Sequence, residues 1–364
     1  MAELKFIKMS SEKERSAWVT GTIMTDAAAI PIVSTDLAPS DYWENIRCRT
    51  TAFRNNYTVT PGLYAVGAPD KASDVFVSAN YKLSFDVLRK ALKGLNAWVL
   101  VLDTKGINVW CAAGKGTFGT DELVQRISLT QLDRVVNHNK IIVPQLGAPG
   151  ISAYGVKKAS GFKVSYGPVR AEDIRAYIAA GYQATGEMRT VTFPLFDRLI
   201  LTPMEINPAM KKYYPWYALI ILSIFGLQPG GIFFREALVG GLPFLLLGLI
   251  SVIAGALVTP VLLPFIPFRS FAVKGWITGL LAIFLSTTFI AMFRHLNTVL
   301  LISTYLFFPL ASSYIALQFT GASTFTGISG VKKELKMSIP LYISGVVVSL
   351  ILLLVYKLGE WRVL

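Results

Sequence analysis

The C-terminal half constrains this chain most: beyond about Glu205, uncharged apolar runs follow one another almost without interruption. Five can be read, at roughly Tyr213–Phe234, Ala237–Phe268, Gly275–Phe293, Thr298–Phe319 and Ser338–Tyr356. Each is about as long as a helix needs to cross a bilayer, roughly 20 residues. Pro260, Pro264 and Pro267 should end the second helix near Thr259. Gln228-Pro229-Gly230-Gly231 breaks the first, which reads as a short span plus an interfacial turn.

Composition follows from this half. Hydrophobic residues make up 53% of the chain and charged residues 16%. After Glu205 only three acids occur (Glu236, Glu334 and Glu360) against eleven of the 35 basic residues, so this half carries +8 of the net +13. The excess belongs to membrane flanks, and no nucleic-acid-binding motif accompanies it. Lys211 and Lys212 precede the first run, Arg269 and Lys274 separate the second from the third, and Lys332, Lys333 and Lys336 precede the fifth. The alternate loops carry fewer basic residues. The basic-flank rule therefore places the N-terminal domain in the cytoplasm and the C-terminus outside, in a multi-pass protein of the cytoplasmic (inner) membrane. The apolar cores hold no charge and no repeat pair, which favours an anchor and platform over a transporter. The opening MAELKFIKMSSEKERS has no apolar h-region, so no signal peptide is read.

Two domains are expected: residues 1–205 soluble and 206–364 transmembrane. Within the first, strands read at Leu63–Val66, Asp74–Ser78, Ala97–Leu102, Ile141–Val143 and Phe162–Ser165. Helices read at Phe85–Leu95, Thr120–Ile127, Ser152–Lys158 and Ala171–Ala180. The run AWVLVL at 97–102 is continuously apolar, as in a strand covered on both faces. This alternation predicts a doubly wound, Rossmann-like α/β domain, whose ligands bind at the carboxyl ends of the strands. A loop bearing Cys111 follows AWVLVL and so sits at that edge.

The segment DTKGINVWCAAGKGTFGT (Asp103–Thr120) carries the chemistry. Its glycines at 106, 114, 116 and 119 allow close approach of a ligand to the backbone, and Lys115 could meet a phosphate. It lacks the GxxxxGK[ST] of a phosphate-binding P-loop. Gly114-x-Gly116-x-x-Gly119 has dinucleotide-fingerprint spacing but follows a cysteine-bearing loop instead of a strand. Only Cys48 and Cys111 occur, too few for an iron–sulfur cluster, and a disulfide framework is not expected in a reducing compartment. Cys48, in NIRCRTTAF, has no metal spacing and reads as structural. His138 and His295 read as surface or interface histidines, and no Asp-x-His-x-x-Gly motif is present to offer histidine to cobalt.

Asn108-Val109-Trp110-Cys111-Ala112-Ala113-Gly114-Lys115 resembles the signature of the mercury-methylating corrinoid protein family. Gly116-Thr117-Phe118 and Gln145–Gly150 are similar to the corrinoid domain of the large subunit of the corrinoid iron–sulfur protein of the acetyl-CoA pathway. A soluble domain followed by spans, and STFTGISGVKKE (Ser323–Glu334) before the last, also resemble the former family. That resemblance implies a base-off corrinoid (cobalamin-type) with Cys111 as axial cobalt ligand and catalytic residue. It further implies cofactor contacts from Asn108 through Gly116 and from Gly147, Ala148 and Pro149.

The implied activity is methyl transfer from a methyl-cobalt(III) corrinoid to inorganic mercury(II), giving methylmercury. A thiolate is a soft, strongly donating ligand, suited to release of methyl as a carbanion equivalent to that electrophile. The implied partners are a folate-linked methyl donor system and a ferredoxin-like protein with two [4Fe–4S] clusters. A membrane methyl carrier of one-carbon metabolism with another acceptor, or a non-enzymatic membrane protein with a degenerate α/β domain, are the alternatives. The loop Thr320–Lys336 is expected on the cytoplasmic face, where Lys332 and Lys333 could dock a partner.

Overall fold

The computed structural model describes residues 17–294, 296–319 and 328–363. The opening segment read for a signal peptide, His295, and residues 320–327 of the expected docking loop lie outside the described residues. The chain divides into two compact units, Met1–Val191 and Thr192–Leu364. The division falls before the boundary read at 205/206, because the helix over 195–208 packs with the helices that follow it.

The N-terminal unit is a three-layer α/β/α domain. Its strands are β1 (Val19–Met24), β2 (Ala29–Val33), β3 (Gly62–Val66), β4 (Val75–Ala79), β5 (Ala97–Leu102), β6 (Lys140–Val143) and β7 (Lys163–Tyr166), in sheet order β1-β2-β3-β5-β4-β6-β7. The part β5-β4-β6-β7 is parallel. β3 runs antiparallel to β5, and β1 antiparallel to β2, so the sheet is mixed. β1, β2 and the helix after them add to the elements expected from the sequence. Helix α1 (Pro39–Thr50) precedes β3, α2 (Lys82–Ala91) joins β4 to β5, and α3 (Val109–Lys115) with α4 (Thr120–Leu129) lie between β5 and β6. α5 (Ala153–Ser160) joins β6 to β7, and α6 (Ile174–Ala179) follows.

Both faces of the sheet are covered, as the run AWVLVL requires. Trp98, Leu100 and Leu102 pack on one side with Ala112, Phe118, Leu123 and Val156. Val99 and Val101 pack on the other with Phe85, Leu88, Ile174 and Tyr177. Every residue of β5 is buried. The chain leaves β4 for β5 on one side and returns to β6 on the other, so a crevice opens between the carboxyl ends of β4 and β6. Ligands of wound sheets bind at such reversals.

The C-terminal unit is helical. α7 (Leu195–Pro208) continues through a π-helical stretch (Ala209–Tyr213) into α8 (Tyr214–Gly226), and then come α9 (Phe234–Leu262), α10 (Phe271–Phe289), α11 (Thr298–Gln318) and α12 (Ile328–Glu360). Four of these, α9 to α12, are long and apolar enough to cross a membrane, not five. The first apolar run yields the 13-residue α8 and then a two-residue-strand hairpin, Leu227–Gln228 with Gly231–Ile232. α8 prolongs a continuous helix that starts at Leu195, but Asp197, Arg198, Glu205, Lys211 and Lys212 precede it, so the uncharged part is only about 20 Å long, less than a bilayer core of about 30 Å. The Gln228–Gly231 break ends it.

α9 passes Thr259 and runs to Leu262 through a π-helical stretch at Ala254–Val258. Gly330, Lys332, Lys333 and Lys336 lie on α12 instead of in a loop. Lys274, expected as a flank, is buried in the first turn of α10, where it donates to the Leu263 carbonyl. Arg198 of α7 likewise donates to the carbonyls of Pro260 (3.1 Å) and Val261 (2.6 Å), and Glu334 accepts from Ser270 Oγ (2.9 Å) and Ala272 N (3.1 Å). Charged side chains thus satisfy helix-end groups that no intrahelical partner reaches. Small residues let helices approach closely: a Cβ on Gly279 would stand 2.6 Å from Ser312 Cβ.

Candidate functional site

The motif around Cys111 is a capped helical turn, not a loop. Asn108 is its N-cap: Oδ1 accepts from the Cys111 backbone N–H at 2.9 Å. Val109, Ala112 and Ala113 face the core, which is why the turn is helical: apolar residues three and four apart bury one stripe. The opposite stripe carries Cys111, which is free and exposed, and Lys115, also exposed. Trp110 is 38% exposed. Gly116 ends the turn in the left-handed region, φ +81°, as a C-cap glycine does.

The loop leading into this turn is held from β4. Asn80, buried just past that strand, accepts through Oδ1 from Thr104 N (3.1 Å), Thr104 Oγ1 (2.8 Å) and Gly106 N (2.9 Å). Glu122 of α4 accepts from Asp103 N at 2.7 Å and is paired with Arg126. Burial works against ionisation of Asp103, but its hydrogen bond and ion pair with Lys105 outweigh this and hold its carboxyl below the ordinary range. Neither Asn80 nor Glu122 stands out in the sequence. The carboxyl edge of β4 is the signal that could have found Asn80.

The motif glycines divide by what surrounds them. A Cβ on Gly150 would overlap the Phe118 carbonyl oxygen and lie 3.1 Å from Ala113 Cα. A Cβ on Gly147 would overlap the Phe118 ring and approach Val143 Cγ1 to 3.1 Å. These two let the turn after β6 close onto α3, and packing alone accounts for them. A Cβ on Gly114 or Gly116 would meet nothing within 4 Å, so the backbone there borders open space. The structure therefore brings Asn108–Gly116 beside the Gly147–Gly150 turn, with Ala148 half-buried and Pro149 exposed.

A cavity of about 320 Å³ lies in the β4–β6 crevice. Its walls include Ser78 of β4, Ile142 of β6, Val87 of α2, Leu146, Pro168, and the Asn108–Trp110 entrance to α3. Thr117 Oγ1, just after Gly116, is buried with no hydrogen-bond partner. A crevice walled by Asn108–Trp110, an exposed soft ligand at the next residue and side-chain-free backbone at Gly114 and Gly116 form a donor set compatible with a large macrocycle bound through cysteine.

The other sequence candidates are engaged elsewhere. Cys48 is buried among Tyr57 and Tyr81, with Sγ directed to the Asn45 carbonyl at 3.2 Å. The His138 ring bridges the Ser73 carbonyl (3.0 Å) and the Lys140 N–H (3.2 Å). Among the described residues, no group of three or more His, Cys, Asp or Glu side chains could hold a metal ion.

Residues 43–178 match the family described as the CO dehydrogenase/acetyl-CoA synthase delta subunit. Over 127 residues the chain is 29% identical to the gamma subunit of the acetyl-CoA decarbonylase/synthase complex of Archaeoglobus fulgidus, covering 34% of this chain and 27% of that protein. The Methanothermobacter thermautotrophicus gamma subunit is 29% identical over 172 residues, 45% of this chain and 36% of that one. The corrinoid/iron-sulfur protein large subunit of Moorella thermoacetica is 27% identical over 120 residues, 32% and 26% of the two chains. The matches span only about a quarter to a third of these relatives' own length. The domain that holds β3 to β7, the cavity and Cys111 is thus similar to the CO dehydrogenase/acetyl-CoA synthase delta subunit family, and in this chain apolar helices follow it.

Proposed function

We propose that this chain is a membrane-anchored corrinoid methyl carrier that transfers a methyl group to inorganic mercury(II), with Cys111 as the axial cobalt ligand. The observation that carries the reading is the placement of Cys111: exposed, in the first turn of a capped helix, and next in sequence to Asn108–Trp110, which line the cavity at the sheet's reversal point. The similarity of residues 43–178 to corrinoid-pathway proteins supports the cofactor class, and the eight-residue motif supports the acceptor. A bound corrinoid supplies a cobalt centre able to accept and release a methyl group.

The chain's own residues would hold and tune that centre. Cys111 would offer the cobalt a soft thiolate donor. The Asn108 cap fixes the turn that aims it, and Asn80 fixes the loop before the cap. Gly114 and Gly116 would leave room for close approach, and Trp110 would form a wall. Val109, Ala112 and Ala113 serve by packing, as do Gly147 and Gly150. The soluble unit would face the cytoplasm, beside a folate-linked methyl donor. With two cysteines in the whole chain, the strong reductant must come from a partner, read here as a ferredoxin-like protein with two [4Fe–4S] clusters.

A second reading keeps the corrinoid and changes the acceptor to one of one-carbon metabolism, favoured by relatives that are subunits of acetyl-CoA decarbonylase/synthase. The test is purified protein with its reductant, a methylfolate donor and mercury(II), assayed for methylmercury and for bound cobalt. Cys111→Ala should abolish transfer while leaving the fold intact, and Cys48→Ala should retain it. Cobalt-loaded protein that forms no methylmercury would favour the second reading, and protein that binds no corrinoid would refute both.

A further inference from the structure

Charges on α1 and α2 are sorted by sign. Their acids turn inward: Asp41 pairs with Lys82 (2.7 Å) and Arg89 (2.7 Å), Asp86 with the same two at 2.8 Å each, and Glu44 with Lys82 at 3.4 Å. Lys82, Arg89, Asp41 and Asp86 are all buried, so this network cancels internally. What α1 and α2 leave outside is basic and aromatic. Trp43 is 62% exposed, and Tyr42, Ile46 and Val87 are about half exposed. Arg47 and Lys90 stand among them, Arg47 over the Phe53 ring at 4.3 Å and Lys90 near the Tyr42 ring at 6.0 Å.

We infer that the outer face of α1 and α2, centred on Trp43 with Arg47 and Lys90, docks on the anionic headgroup surface of a lipid bilayer. Trp and Tyr sit favourably at headgroup level because one end of each is apolar and the other polar. Lys and Arg are drawn to anionic lipid, and the acids of the two helices oppose this little: Asp41 and Asp86 are neutralised inside, and Glu44, about a third exposed, pairs with Lys82. The same chain carries four helices able to cross a membrane, so a bilayer is held at high local concentration, and a weak surface contact suffices. Val87 belongs both to this face and, with Asn108–Trp110, to the wall of the β4–β6 cavity, so docking brings that cavity to headgroup level. Such docking depends neither on the methyl acceptor nor on the cofactor.

The test uses the full chain in nanodiscs of phosphatidylcholine alone or with phosphatidylglycerol, both made with brominated acyl chains that quench nearby tryptophan. The contribution of Trp43 is isolated by subtracting the signal of Trp43→Phe. Trp43 should be quenched in the anionic discs, less so in neutral ones, and less at high salt. Arg47→Gln/Lys90→Gln, which leaves the buried network untouched, should lower the docked-to-undocked ratio about thirtyfold, from about a fivefold loss per basic group removed. Unaltered circular dichroism would show that the variant is folded. A Trp43 left unquenched in anionic discs overturns the inference. So does a Trp43 that is shielded only when an acidic soluble protein is added, which would assign the face to a protein partner.

Discussion

The motif's glycines fall into a packing class and an open class, and alanine separates them. At Gly150 the added methyl overlaps the Phe118 carbonyl oxygen and presses on Ala113 Cα at 3.1 Å. Both obstacles are backbone, which cannot swing away as a side chain can. Overpacking of this kind costs about 1–3 kcal/mol. For a domain of this size each 1 kcal/mol lowers Tm by about 2–4 °C, so Gly150→Ala should melt about 2–12 °C lower. At Gly114 the methyl enters open space on a helical residue. Replacing a helical glycine by alanine gains about 0.5–1 kcal/mol, so Gly114→Ala should melt unchanged or a few degrees higher. If Gly114 borders the corrinoid, the same methyl should lower corrinoid retention while stability is kept. The assay is thermal unfolding of the N-terminal unit, followed by hydrogen exchange of peptides spanning β5 to β7, with cobalt content measured on the same samples. An unchanged melt for Gly150→Ala, or a lowered one for Gly114→Ala, would refute the division. A Gly114→Ala protein that is stable and fully cobalt-loaded would show that this glycine does not face the cofactor.

Asp86→Ala should destabilise the N-terminal unit by about 3–5 kcal/mol in denaturant titration, because it leaves Lys82 and Arg89 buried with Asp41 as their one buried acid. A loss under about 1 kcal/mol would mean the network is hydrated. Burial opposes ionisation of Asp41, but hydrogen bonds from Lys82 and Arg89 outweigh it and hold its carboxyl below the ordinary 3.8. Its contribution to stability should therefore be complete above pH 3.8 and be lost as pH falls through the lower folded-state value, a loss that Asp41→Asn should abolish in acid titration. Four spans put both ends of the helical unit on one side, so a reporter fused after Leu364 should read cytoplasmic if the N-terminal unit does. The opposite result would restore α8 as a fifth span.

Much of this protein is legible in its sequence. The continuous apolar run at 97–102 specifies a central strand covered on both faces, because an exposed strand would not keep six apolar residues in succession. The alternation around it marks β4 to β7, and α2, α4 and α5 between them, to within a few residues. The uncharged runs mark α9 to α12, because length and hydropathy alone decide what a bilayer core accepts. The eight-residue motif singles out Cys111. Tertiary structure decides the rest. Asn108 turns the expected loop into a capped helix, because a side chain closing onto a backbone N–H three residues later leaves only a short polar residue in the sequence to announce it. β3 runs antiparallel to β5, and direction is set by how the chain returns, not by the strand's composition. α8 falls short of a span because Gln228–Gly231 forms a hairpin, and α12 absorbs lysines that look like a loop. The different work of Gly114 and Gly150 is also invisible in the sequence. A glycine marks only where a side chain is missing. Whether a neighbouring backbone or open space fills the place depends on segments far away in the chain.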